Sequence, residues 1–166
     1  MPSNTGAIVT PKQQFLTVAG VPLTEGRAKG DWLRAVYNLD GYLTETGIDG
    51  EGWFVEVLDD SAVVEASFTH VSWVNDFLGS LYFTNRNSSS PAPYPLTFNE
   101  GNGSTDYSTP RALIAKPADG VWSDGAQVRT WRFVIPKLRG YPGQVRPAPQ
   151  LSAEAAAALL LQIQAG

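Results

Sequence analysis

Between residues 62 and 82 the spacing of the apolar residues changes, and that change restricts the fold more than any other feature of the chain. In AVVEASFTHV (62–71), Val64, Ala66 and Phe68 share one face and Glu65, Ser67 and Thr69 the other. A period of two is that of a half-buried strand. Val74, Phe77, Leu78, Leu81 and Tyr82 then follow at i, i+3, i+4, i+7 and i+8, one stripe of an amphipathic helix. Ser72 is placed to cap that helix and Asp76 to face the positive end of its dipole. The five stripe residues are expected to pack the helix onto a sheet.

The remainder reads as strands and turns. The chain has 16 glycines and 12 prolines in 166 residues, a length suited to one domain. FLTVAGVPL (15–23) reads as a strand with a turn at Gly20, and Pro22 marks an edge. DWLRAVY (31–37) is a second strand. Residues 38–52 hold the turn pairs Asp40-Gly41 and Asp49-Gly50, and read as a long hairpin or an extended loop. WFVEVL (53–58) is a strand ending at Asp59-Asp60. Polar residues 85–93 end the helix, and YPLTFN (94–99), RALIAK (111–116) and RTWRFVIPK (129–137) are further strands. The expected fold is mainly β: an antiparallel sandwich or barrel with one flanking α-helix.

Pro142, Pro147 and Pro149 make 140–150 a stiff connector. LSAEAAAALLLQIQ (151–164) then reads as a C-terminal helical extension with Ser152 as its cap. So short a helix is marginal alone in water, and Leu159, Leu160, Leu161 and Ile163 need a surface to cover. Residues 1–14, with Pro2 and Pro11, read as an N-terminal arm.

Composition removes several functions. Without cysteine there is no disulfide framework, thiolate metal site or cysteine nucleophile. One histidine excludes a multi-histidine metal site. No apolar run approaches the roughly 20 residues of a membrane helix, and Met1–Thr10 carries no secretory pattern. The sequons at Asn87 and Asn102 are therefore expected to be coincidental. Charged residues are 17% of the chain, against roughly 25% in ordinary soluble domains, which hints at surface hidden by assembly. Residues 1–83 hold eleven acids and four bases, and residues 84–166 five acids and eight bases. Such unequal halves suit opposite faces of copies that meet.

The candidates for chemistry are weak. His70 lacks a G-x-S-x-G turn nearby and reads as structural. Asp59-Asp60 and Asp49-Gly50-Glu51 do not have calcium-loop spacing. Glu56 and Glu65 could oppose each other across a hairpin, as any acidic hairpin allows. Gly101-Asn102-Gly103-Ser104 lacks the ending of a phosphate loop and reads as a hairpin tip. Trp32, Trp53, Trp73, Trp122 and Trp131 read as packing residues sooner than as a sugar platform. No catalytic, cofactor or metal residue is assigned.

Five pieces, in order, resemble the bacteriophage tail tube protein family. They are Gly20-Val21-Pro22-Leu23; the strand and glycine-bearing loop of 31–52; the approach to the helix with Ser72, Asn75, Asp76, Leu78, Ser80 and Leu81; Ala112, Ile114, Lys116-Pro117 and Asp119; and Trp131, Phe133 and Leu138. The resemblance covers roughly 15–145. His70, Val71 and Trp73 depart from it, and 151–166 has no counterpart in it. It implies a tail-tube-like β domain at 15–140, preceded by the arm and followed by connector and helix at 141–166. It implies a structural, non-enzymatic virion protein, made in the cytoplasm of the host bacterium, that forms hexameric rings stacked into a hollow tube. DNA passes through the lumen without specific binding, and a net acidic wall suits that passage. Tail sheath, baseplate and tail terminator proteins are the further partners it implies. Interface residues are expected in the 38–52 segment, at Tyr42, Thr44 and Ile48, and in the tail, at Leu159, Leu160 and Ile163. A decoration or baseplate protein, a carbohydrate-binding sandwich and a small hydrolase using His70 are the alternatives.

Overall fold

A computed structural model describes residues 7–145 and 152–165. The first six residues of the expected arm, the stretch 146–151 with Pro147 and Pro149, and Gly166 lie outside the described residues. After a 3-10 turn at Pro11–Gln13 come β1 (Gln14–Val18), β2 (Val21–Pro22), β3 (Leu33–Tyr37), β4 (Tyr42–Thr46), β5 (Gly52–Glu56) and β6 (Ala62–Thr69). Then follow α1 (Trp73–Asn87), β7 (Tyr94–Glu100), β8 (Asp106–Ile114), β9 (Val128–Ile135), β10 (Arg139–Tyr141) and α2 (Ala153–Gln164).

All pairings between the strands are antiparallel. Hydrogen bonding runs in the order β2-β1-β7-β8-β9-β6-β3, with β10 also on β8, while β4 and β5 pair only with each other. The long sheet divides into two layers at β8. Leu96 of β7 lies opposite Thr109 and Tyr94 opposite Ala112, so β8 holds one extra residue at Pro110-Arg111. A bulge is where a sheet tolerates proline, which has no N–H for the ladder. The Thr109 hydroxyl accepts from the Arg111 N–H at 3.2 Å and donates to the Arg111 carbonyl at 3.1 Å. Past the bulge, Leu113 and Ile114 pair with Val134 and Phe133 of β9.

The alternation expected in 62–71 is present: Ala62, Val64, Ala66 and Phe68 are buried. Their partners Ile135, Phe133 and Trp131 are buried with them. Leu16, Val18, Leu96 and Tyr107 face them from the other layer and complete the core. Trp32 meets Phe98 edge-on, with ring centroids 6.0 Å apart. The Tyr37 hydroxyl crosses to donate to the Gly140 carbonyl at 2.8 Å. The fold is thus the expected antiparallel sandwich with a flanking helix.

α1 covers one side. Val74 and Leu78 are fully buried, and Phe77, Leu81 and Tyr82 pack against the core around them. All five residues of the predicted stripe therefore do what the spacing indicates. Ser72 caps the helix by accepting from the Val74 N–H at 3.3 Å. Asn75 fixes the helix to the sheet. Its side-chain amide donates to Thr69 O at 2.8 Å, and its oxygen accepts from the Trp131 indole at 3.0 Å. Gly26, at φ +72, passes so near that a Cβ there would overlap Ser72.

Pairings and several boundaries differ from the expectation: β3 starts at Leu33 and not Asp31, and β5, β6, β8 and β9 each end two residues early, at Glu56, Thr69, Ile114 and Ile135. α1 continues to Asn87, three residues into the expected loop; Asn85 then closes the reversal by bonding both the N–H and the carbonyl of Ala92 at 2.9 Å. β8 starts at Asp106, not Arg111, because Pro110 interrupts the sequence pattern where the bulge absorbs it. β10 is too short to show a period. WFVEVL does not pair toward β6: β5 pairs with β4, placing Glu56 opposite Tyr42. Glu65 lies opposite Arg34 and Arg132, so the two glutamates do not face each other.

Two consequences are measurable. Tyr94 is buried, and its hydroxyl accepts from the Ile114 N–H at 2.8 Å beyond the bulge. Burial pushes its pKa up from 10.0 to about 12, with the Ile114 hydrogen bond pulling the other way. Tyr37 and Tyr107 are also raised, chiefly by burial. Below pH 10 the phenols are neutral folded and unfolded, so stability is at its full value. Between 10 and about 12 the unfolded chain loses protons first, so the urea midpoint falls across that window. Tyr94→Phe leaves the Ile114 N–H without its acceptor, costs about 1–3 kcal/mol at neutral pH, and makes the alkaline fall shallower. Asn75→Leu strands the Trp131 indole N–H and costs about 2 kcal/mol, read as a lower urea midpoint at unchanged slope.

Candidate self-assembly surface

The segment 38–61 contributes nothing to the core. It forms the hairpin β4–β5, in register from Tyr42↔Glu56 to Thr46↔Gly52. The turn is closed by Gly47 N–H donating to Glu51 O at 2.7 Å, and the base by Val57 N–H donating to Gly41 O at 2.8 Å. Of the two readings left open by the sequence, long hairpin or loop, the hairpin is the one formed.

Both faces of this hairpin carry large apolar side chains. Tyr42 and Phe54 are on one face, with Thr44, and are 70% and 80% exposed. Leu43 and Trp53 are on the other, about half exposed, with Val55. Ile48 at the tip is fully exposed. A two-stranded hairpin without a covered face is marginal in water. From Asp40 to Asp60 there are seven acids and no lysine or arginine. The hairpin is therefore an apolar, acidic projection.

Tyr42, Thr44 and Ile48, expected at an interface, are all on this hairpin and exposed. Leu43, Trp53 and Phe54 were not in that reading, because WFVEVL looks like a core strand. The signal that separates it from one is the acid run on both sides with no base between.

α2 is the second uncovered element. Ser152 caps it by accepting from the Ala155 N–H at 3.1 Å, as expected. Leu159 is 47%, Leu160 61% and Ile163 72% exposed. With Ala156 they stand at i, i+3, i+4 and i+7, one helical stripe.

A third opening is the edge of the sheet. The hydrogen-bonded path ends at β2 on one side and β3 on the other. Pro22 blunts the first, and β3 presents an unpaired row of backbone groups among the described strands. Such an edge is a template for a strand from another chain.

The other candidates are structural or scattered. The Gln127 N–H donates to His70 Nδ1 at 3.1 Å, tying the end of β6 to the approach of β9. The five tryptophans lie on different elements: Trp131 is buried in β9, Trp32 is half-buried before β3, Trp53 is on the hairpin, and Trp73 opens α1. Trp122 is in a loop, with the Arg129 guanidinium 5.5 Å from its ring centre. They make no common platform. Gly101-Asn102-Gly103-Ser104 is the turn between β7 and β8, as read. Among the described residues no three acidic or histidine side chains are grouped to hold a metal. No family model matches the chain, and no curated protein matches it.

Proposed function

We propose that this chain is a structural subunit that assembles with copies of itself into stacked rings, forming a hollow tube of the bacteriophage tail-tube type. The observation that carries the reading is the β4–β5 hairpin, an apolar projection on which both faces and the tip are exposed. Apolar surface of that kind marks an interaction site. The segment Asp40–Asp60 that forms it holds seven acids and no lysine or arginine, which suits a partner surface of opposite sign. The second half of the same chain carries the excess of bases. A contact between two different patches of identical subunits is heterologous, and it propagates into rings or filaments.

The open edge of β3 supports the ring. A neighbour's strand added there would extend the sheet around a lumen, covering an edge that a free monomer leaves exposed. The order of five motifs from Gly20 to Leu138 supports the same assembly through its resemblance to tail tube proteins. On this reading the net charge of -4 keeps DNA moving through the lumen, since a basic wall would hold phosphates. The hairpin is the contact between successive rings. The virion tail is the proposed location, with no reaction to catalyse.

Purified protein, concentrated and imaged by negative-stain electron microscopy, is expected to show rings and hollow tubes. Particles that stay monomeric at high concentration overturn the reading. Phe54→Asp and Ile48→Asp change exposed positions, so the unfolding free energy of the subunit, read from urea titration, changes by no more than about 0.5 kcal/mol. Tube formation is expected to be lost in both. Tubes of normal length from the double variant would remove the hairpin from the assembly contact.

A further inference from the structure

The outward face of the β8-β9-β6-β3 layer is banded. Leu113 lies opposite Val134, Val134 opposite Val63, and Val63 opposite Val36. These four aliphatic side chains form one row across four strands, on the side away from the core. Leu113, Val134 and Val36 are each more than a third exposed. The next row is charged: Arg132, Glu65 and Arg34 stand in register. The third pairs the hydroxyls of Ser67 and Thr130 at 2.9 Å.

Leu113 and Val134 also line two hollows, of about 390 and 340 Å³. Arg111 borders the first and Arg86 the second. The apolar row is thus set among arginines. Four strands spaced about 4.8 Å apart give it a length of roughly 14 Å. The stripe Ala156, Leu159, Leu160 and Ile163 on α2 runs for about 10 Å. α2 has one acid, Glu154, no base, and no cation in its last turn to offset the negative end of its dipole.

We infer that α2 of one copy docks along the Leu113–Val134–Val63–Val36 row of a second copy of this chain. Both surfaces are uncovered in the same chain, so the pairing is not made within it. The stripe is short enough to lie within the row, and Glu154 and the uncompensated negative end of α2 suit the arginines around it. The inference rests on the self-assembly reading for the presence of a neighbouring copy, and it assigns the helical tail, which the tail-tube resemblance does not cover, a surface of its own. The hairpin and the tail then make separate contacts, one through β4–β5 and one through α2.

The native chain has no cysteine, which makes a direct test possible. Full-length Val134→Cys and Leu160→Cys proteins, of different mass through a terminal tag, are mixed at high concentration and mildly oxidised. The expected product is a covalent heterodimer. Leu161→Cys, on the opposite side of α2, is expected to give at least several-fold less. Equal yields from 160 and 161 mean random collision and overturn the proposal. So does a double Val134→Cys/Leu160→Cys chain that closes on itself while the mixed single variants do not couple. Microscopy of the same samples separates the two readings. Tubes without the 134–160 crosslink remove the docking site and leave the tube. The crosslink without rings or tubes keeps the docking site and removes the tube.

Discussion

The fold depends on one strand serving two layers. β8 begins hydrogen-bonded to β7 and β10 and ends on β9. Between those ends it must turn without leaving a buried backbone group unpaired, since each such group costs about 1–3 kcal/mol. Pro110 has no N–H to lose. Thr109 holds the bulge through its hydroxyl, and Tyr94 reaches across to accept from Ile114. With β8 held in this way, the inner faces of the two layers meet, and α1 lies against Trp131 and buries Val74 and Leu78 in the same core. Asn75 then settles how the helix lies, because a single amide bonds both the end of β6 and the indole of β9.

The same geometry explains what is left uncovered. A 166-residue chain that spends its apolar residues on one sandwich and one helix has a complete core without residues 38–61 or α2. Yet both of those carry large apolar side chains. Their exposure is physically reasonable if another copy covers them, and costly for a solitary monomer. The charge distribution points the same way: seven of the sixteen acids lie in 40–60, while Arg34, Arg111 and Arg132 lie on or beside the outer face of the β9 layer. The chain thus carries unlike surfaces, as the proposed head-to-tail assembly requires.

Much of this was legible in the residues, for identifiable reasons. The period of two at Val64, Ala66 and Phe68 and the helical stripe from Val74 to Tyr82 are local patterns, and each survives into the structure residue by residue. Ser72 and Ser152 are caps because a short hydroxyl side chain reaches the first free N–H groups of a helix. Pairing was less legible. WFVEVL has the composition of a core strand, but its partner is β4, and nothing local distinguishes that from pairing with β6. Asp106–Pro110 was hidden because a proline argues against a strand unless the bulge is known. The candidate surface was legible in part. Tyr42, Thr44 and Ile48 followed from loop length, and Leu159, Leu160 and Ile163 from an unpartnered stripe. Phe54 and the Leu113–Val134–Val63–Val36 row were not, because exposure on the far side of a strand depends on the sheet that forms around it.

The central claim is that the hairpin is covered by copies of the same chain. Hydrogen–deuterium exchange measured over a range of protein concentrations tests it most directly. The account predicts that amides of Tyr42–Thr46 and Gly52–Glu56 exchange quickly in dilute solution and become protected as concentration rises, while those of β6 and β9 stay slow throughout. Exchange in the hairpin that remains fast at every concentration would contradict it.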